Sequence, residues 1–66
     1  MRTNAGYAII NSERLNATEE LVIGYNEKAP APYVCWYCRD GNDYYWGMYC
    51  GTLKDAITAL EERLNR

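Results

Sequence analysis

Two aromatic runs, Tyr33–Cys38 (YVCWYC) and Tyr44–Cys50 (YYWGMYC), flank the turn formers Asp40-Gly41-Asn42. Dense β-forming residues on both sides of such a cluster specify a hairpin. Loop length then decides which side chains share a face, because a one-residue slip exchanges the two faces of a strand. A three-residue loop, with Gly41 or Asn42 in the left-handed region, sets Arg39 opposite Asp43 and Tyr37 opposite Tyr45. The same register sets Trp36 opposite Trp46, Cys35 opposite Gly47 and Val34 opposite Met48. Tyr33, Tyr37, Tyr45 and Tyr49 then occupy one face, and Val34, Trp36, Cys38, Tyr44, Trp46 and Met48 the other.

The remaining segments supply partners for this hairpin. Gly6–Asn11 and Leu21–Asn26 are shorter β-prone runs, with Gly24 marking a bulge or the close approach of a large neighbour. Between them, Ser12–Glu20 is polar and suits a turn or one loose helical turn. Glu27–Pro32 is a connector, since Pro30 and Pro32 give no ladder hydrogen bonds. Thr52 is a good helix N-cap, with Asp55 three residues on. Leu53, Ala56, Ile57, Leu60 and Leu64 then recur at helical spacing, predicting one amphipathic helix over about 53–65. The expected architecture is α+β: one ββββα domain over residues 1–66. It is a four-stranded antiparallel meander with the C-terminal helix packed on one face, over Trp36 and Trp46.

Size and charge narrow the function. A core of 66 residues rarely yields more than about 3–5 kcal/mol, so a partner or a second copy is a natural supplement. Seven Lys and Arg against nine Asp and Glu leave a net charge of −2. That balance argues against nucleic acid, which calls for a basic field, although aromatic sheets do stack on single-stranded bases. The polar N-terminal residues hold no apolar signal segment and no run is long enough to span a membrane, so a cytoplasmic protein is expected.

The chemistry-bearing residues are few. Cys35-x-x-Cys38 has the spacing of a zinc knuckle, but a structural zinc site needs four ligands. Only Cys50 remains, and there is no His. An extended strand sets Cys35 and Cys38 about 10 Å apart on opposite faces, beyond disulfide reach. Reduced thiols, no metal and no cofactor are the expectation, with Cys38 and Cys50 in the core and Cys35 away from it. Asp40, Asp43, Glu61 and Glu62 lie in a turn or on a solvated helix face, and no nucleophile elbow or phosphate loop is present, so no enzyme is expected.

The tyrosines are the feature that calls for a function. Tyr carries an apolar body with a polar tip and is enriched at interfaces, whereas Phe, absent here, buries at lower cost. Tyr33, Tyr37, Tyr45 and Tyr49, with Arg39 and Asp43 at the end of the hairpin, form the candidate partner-binding surface. The alternative is cross-strand packing that only steadies the hairpin.

The string Asn26-Glu27-Lys28-Ala29-Pro30-x-Pro32-Tyr33-Val34-x-Trp36, then Asp40-Gly41-x-x-Tyr44-Tyr45-Trp46-Gly47-x-Tyr49 and a helix ending near Glu62-Arg63, resembles small uncharacterised proteins of bacterial mobile genetic elements. The resemblance implies no catalytic residues. It implies a protein-binding module whose partner is a host or element protein, inhibition of a host defence complex (CRISPR or restriction) being one such role. A structural homodimer or accessory subunit is the alternative, and single-stranded nucleic-acid binding through the aromatic face a third.

Overall fold

The aromatic hairpin forms as its turn predicts, then departs from the expected register halfway along. The computed structural model describes residues 2–65. It is α+β, with five antiparallel strands in one curled sheet: β1 (Thr3–Asn4), β2 (Tyr7–Arg14), β3 (Glu19–Tyr25), β4 (Tyr33–Arg39) and β5 (Asp43–Cys50). Each strand neighbours the next in sequence, and α1 (Leu53–Leu64) follows β5. No helix among the described residues is long and apolar enough to cross a membrane.

The sheet therefore has five strands, not the four expected. The additional strand is two residues long and turns at Ala5 (φ 52°) and Gly6 (φ 86°), consecutive left-handed residues of a tight hairpin. Ala is rarely found there, so composition gives no sign of the turn. The polar stretch after Asn11 is also extended. Ser12, Glu13 and Arg14 continue β2, and Glu19 and Glu20 open β3. Asn16 closes the short turn between them, its side-chain oxygen accepting from the backbone N–H groups of Thr18 (2.9 Å) and Glu19 (2.8 Å). Such an Asx turn replaces the loose helical turn that polarity alone suggests.

At the hairpin tip, Asp40 (φ 55°) and Gly41 (φ 78°) are left-handed, and the Asn42 N–H donates to the Arg39 carbonyl at 3.2 Å. Arg39 faces Asp43 and Tyr37 faces Tyr45, as the three-residue loop requires. The register then shifts. Cys35 pairs with Met48, Val34 with Tyr49 and Tyr33 with Cys50, so Trp46 and Gly47 together oppose Trp36. This bulge replaces the expected Trp36–Trp46, Cys35–Gly47 and Val34–Met48 pairs.

The assignment of faces is also reversed. The helix covers Leu21, Ile23, Cys35 and Cys50 with Ala56, Ala59 and Leu60, and Tyr33 and Tyr37 pack beside this cluster. Val34, Trp36 and Cys38 lie on the opposite face with Tyr7 and Val22, and Tyr44 packs against them. Cys35, expected away from the core, is fully buried at the helix interface, while Cys38 and Cys50 are buried as expected. The reason is steric. Small helix residues approach closely only over modest side chains, whereas the bulky indole of Trp36 needs the space provided by glycines. A Cβ on Gly24 would meet the Trp36 ring at 3.0 Å, and one on Gly47 would meet the indole nitrogen at 2.6 Å. Gly24 thus marks the close approach of a large neighbour. The curl of the sheet buries this second face without a helix. Tyr7 meets Trp36 edge-on at 5.5 Å between ring centres, and its hydroxyl donates to the Ala31 carbonyl at 2.7 Å. The connector is tied across that face.

Helix α1 starts where its cap predicts, with the Asp55 N–H donating to the Thr52 hydroxyl at 3.1 Å. Its buried stripe is rotated from the predicted one. Ala56, Ala59 and Leu60 face the sheet, and Leu53 and Ile57 are exposed.

Candidate partner-binding edge

The six candidate residues fall into three places. Tyr37, Tyr45, Arg39 and Asp43 converge at the tip end of the hairpin, on the helix side. Tyr33 lies at the other end of β4, its ring 4.9 Å from that of Tyr25. Tyr49 is on the opposite face, edge-on to Tyr7 and Trp36. The bulge causes this separation, because it shifts β5 by one residue between Tyr45 and Tyr49. A single tyrosine face therefore does not form.

A layered stack forms at the tip end. The Tyr37 and Tyr45 rings are nearly parallel, 16° apart in plane and 5.7 Å between centres. The Arg63 guanidinium lies 4.9 Å from the Tyr37 ring centre, and that of Arg39 lies 5.2 Å from the Tyr45 ring centre. Each tyrosine thus holds its own cation. Arg63 also donates to the Cys35 carbonyl at 3.0 Å, fastening the helix end to β4. The Tyr45 hydroxyl donates to the Glu19 carboxylate, and Arg39 sits 3.7 Å from Glu19 and 4.0 Å from Asp43. The bond from Tyr45, then that from Asn16, holds the Glu19 carboxyl below the usual range. The bond to Glu19 correspondingly pushes the Tyr45 phenol up.

Trp46 is the residue that the register argument misplaced. Expected beneath the helix, it is 73% exposed, edge-on to Tyr37 at 5.6 Å and to Tyr45 at 5.2 Å. Its φ is 51°, the left-handed conformation at the first bulge position, where Gly is the usual occupant. Met48 and Tyr49 are also exposed. All three stand on β5, which pairs with β4 on one side and ends the sheet on the other. No sequence signal distinguishes Trp46 from Trp36, except the Gly that follows Trp46 and permits a bulge.

The thiols take another direction. Burial raises the pKa of Cys35, Cys38 and Cys50, which pack as small apolar side chains. Cys35 and Cys38 belong to clusters on opposite faces of the sheet. Glu20, the buried carboxylate, is held by Arg2 at 2.9 and 3.3 Å.

Comparison with family models, curated proteins and solved structures gave no match to this chain.

Proposed function

We propose that the protein is a non-enzymatic binding module for another protein, docking through the open β5 edge and occluding the surface it covers. Trp46 carries this reading. A left-handed, β-carbon-bearing residue costs roughly 1–2 kcal/mol, and an indole this exposed returns little of that by burial. Ala5 and Asp40 adopt this conformation in hairpin turns, whereas Trp46 holds it within a strand, and strained backbone away from turns clusters at functional sites. Exposed strand edges are ordinarily blunted with charge, proline or a bulge. β5 has its bulge and opens on Asp43, yet beyond Asp43 it presents Trp46, Met48 and Tyr49 with no charged residue from Tyr44 to Leu53. The Arg63–Tyr37–Tyr45–Arg39 stack forms a rigid shoulder beside them. Glu19 and Glu20 are already held by cations, and the thiols are packed in the core. The resemblance to mobile-element proteins favours a cytoplasmic host or element protein as partner, a defence nuclease complex among them.

The uncharged run from Tyr44 to Leu53 favours a second reading, a homodimer joined edge to edge, since two copies meet there without repulsion. A photo-crosslinking amino acid at position 46, compared with one at exposed Lys28, separates these readings in the native host. A discrete adduct to a different polypeptide from position 46 alone is the expected result. An adduct of twice the chain's own mass selects the homodimer. Equal labelling from both positions, or none, overturns both.

A further inference from the structure

We infer that the segment received by this edge is a basic one: an extended stretch of the partner that adds a strand to β5 and presents Arg or Lys side chains to Trp46 and the flank of α1. This rests on the protein-binding reading and assigns the partner its chemistry.

Three observations point the same way. First, the aromatic cluster is one cation short. Tyr37 and Tyr45 each have a guanidinium over the ring, supplied by Arg63 and Arg39. Trp46, the strongest π acceptor of the three, is the most exposed and has none among the described residues. Second, the border of the edge is acidic. Asp43 opens β5 and is 60% exposed, meeting Arg39 only at 4.0 Å. Along α1, Asp55 and Glu62 are seven residues apart and so lie on the same flank. Both are exposed, and Asp55 stands in the first helical turn, five residues after β5 ends at Cys50. Third, the two guanidiniums beside the aromatic cluster are already engaged. Arg39 lies over Tyr45 between Glu19 and Asp43, and Arg63 is bonded to the Cys35 carbonyl. A partner cation therefore meets carboxylates without displacing an internal guanidinium.

The open edge supplies the remaining contacts. Strand addition uses unpaired backbone groups for affinity and alternate side chains for specificity. With alternation, every second residue of an added strand falls on the side of the sheet that holds α1 and the Tyr37 and Tyr45 rings against which Trp46 packs.

The probe is a capped eight-residue peptide alternating arginine and valine, titrated against the full chain by amide NMR, with the glutamate–valine peptide as control. The arginine peptide should shift the amides of β5 and the Trp46 indole N–H, with weaker binding at higher salt. Trp46→Ala should abolish the shifts of the β5 amides. Asp55→Asn with Glu62→Gln should weaken binding by about fivefold or more, roughly one favourable charge contact. Glu13→Gln with Glu27→Gln, the same loss of charge on exposed residues of β2 and the connector, should leave binding unchanged. Equal weakening by both pairs reduces the effect to net charge and overturns the inference. So does equal binding of the glutamate peptide, preferential shifts with a single-stranded oligonucleotide, or concentration-dependent shifts without any peptide. If a crosslinker at position 46 captures a foreign protein and the arginine peptide does not bind, the docking edge stands and its basic occupant falls. If neither occurs, both fall.

Discussion

The two faces of this sheet are buried by opposite means. On the helix side, Ala56, Ala59 and Leu60 settle onto Leu21, Ile23 and Cys35, so burial is spread over many modest side chains. On the other side one large group, Trp36, fills the space under the curl, with Gly24 and Gly47 leaving room and Tyr7 closing over it. A distributed interface tolerates the loss of a methyl group, whereas one built around a single indole does not. The largest expected effect follows. Trp36→Ala should cost about 3–5 kcal/mol, comparable to the whole stability of so small a domain, and the protein should lose its cooperative thermal transition by circular dichroism. Ala59→Gly, on the helix side, should cost only about 1 kcal/mol, most of it helix propensity. A folded Trp36→Ala variant would show that the curl does not depend on its indole.

The same contrast explains how much was legible beforehand. The α+β class, the meander, the helix with its Thr52 cap and the pairing of Tyr37 with Tyr45 all follow from local chemistry: period, turn formers and a capping residue. The faces did not, because the expectation gave a sheet with one helix a single buried side. Curl supplies a second, and nothing in the alternation of YVCWYC says which side the helix takes. The bulge was the other hidden element. Gly47 permits it, yet the shift depends on the size of Trp36 across the strand, a tertiary quantity. Asp43, Arg39, Tyr37 and Tyr45 therefore form one cluster as read, while Tyr33 and Tyr49 do not join them.

Glycine substitution probes the Trp36 side at a smaller scale. Gly24→Ala would bring a methyl group within 2.9 Å of the Tyr7 Cβ and 3.0 Å of the indole. Overpacking of that kind costs about 1–3 kcal/mol. Combining it with Trp36→Leu should show partial non-additivity, because the smaller side chain vacates the indole contact while that with the Tyr7 Cβ stays. Additive losses, read from urea midpoints, would mean that Tyr7 rather than Trp36 opposes the methyl group.

Acid distinguishes the faces next. Glu20 points to the Trp36 side and Glu19 to the helix side. The Arg2 guanidinium, against the opposing effect of burial, holds the Glu20 carboxyl below the usual range. A carboxyl depressed in the folded state adds stability that is fully present above its unfolded pKa, about 4.3, and is lost as pH falls through the folded value. Glu20 is only 6% exposed, and Arg2 is partly open to solvent. Glu20→Gln should therefore cost about 1 kcal/mol at neutral pH, after allowance for that exposure, and flatten the decline below about pH 5. Glu19→Gln should flatten it less. The reverse order in acid titrations of the two variants would place the buried ion pair on the other face.

The smallest effect is the most discriminating, because its sign is unusual. Trp46 is buried in neither core cluster and adopts a left-handed conformation. Trp46→Ala keeps the strain and loses the edge contacts with Tyr37 and Tyr45, worth about 0.5–1.5 kcal/mol at most. Trp46→Gly loses the same contacts but relieves the backbone, recovering roughly 1 kcal/mol. Glycine should thus be the more stable of the two at position 46, the opposite of its usual ranking in a strand. Both variants should remain folded and both should lose the interaction proposed for this edge. Alanine outranking glycine in thermal melts would mean that the backbone at 46 is not left-handed in solution. The bulge, the exposure of Trp46 and the docking role proposed for it would then have to be abandoned together.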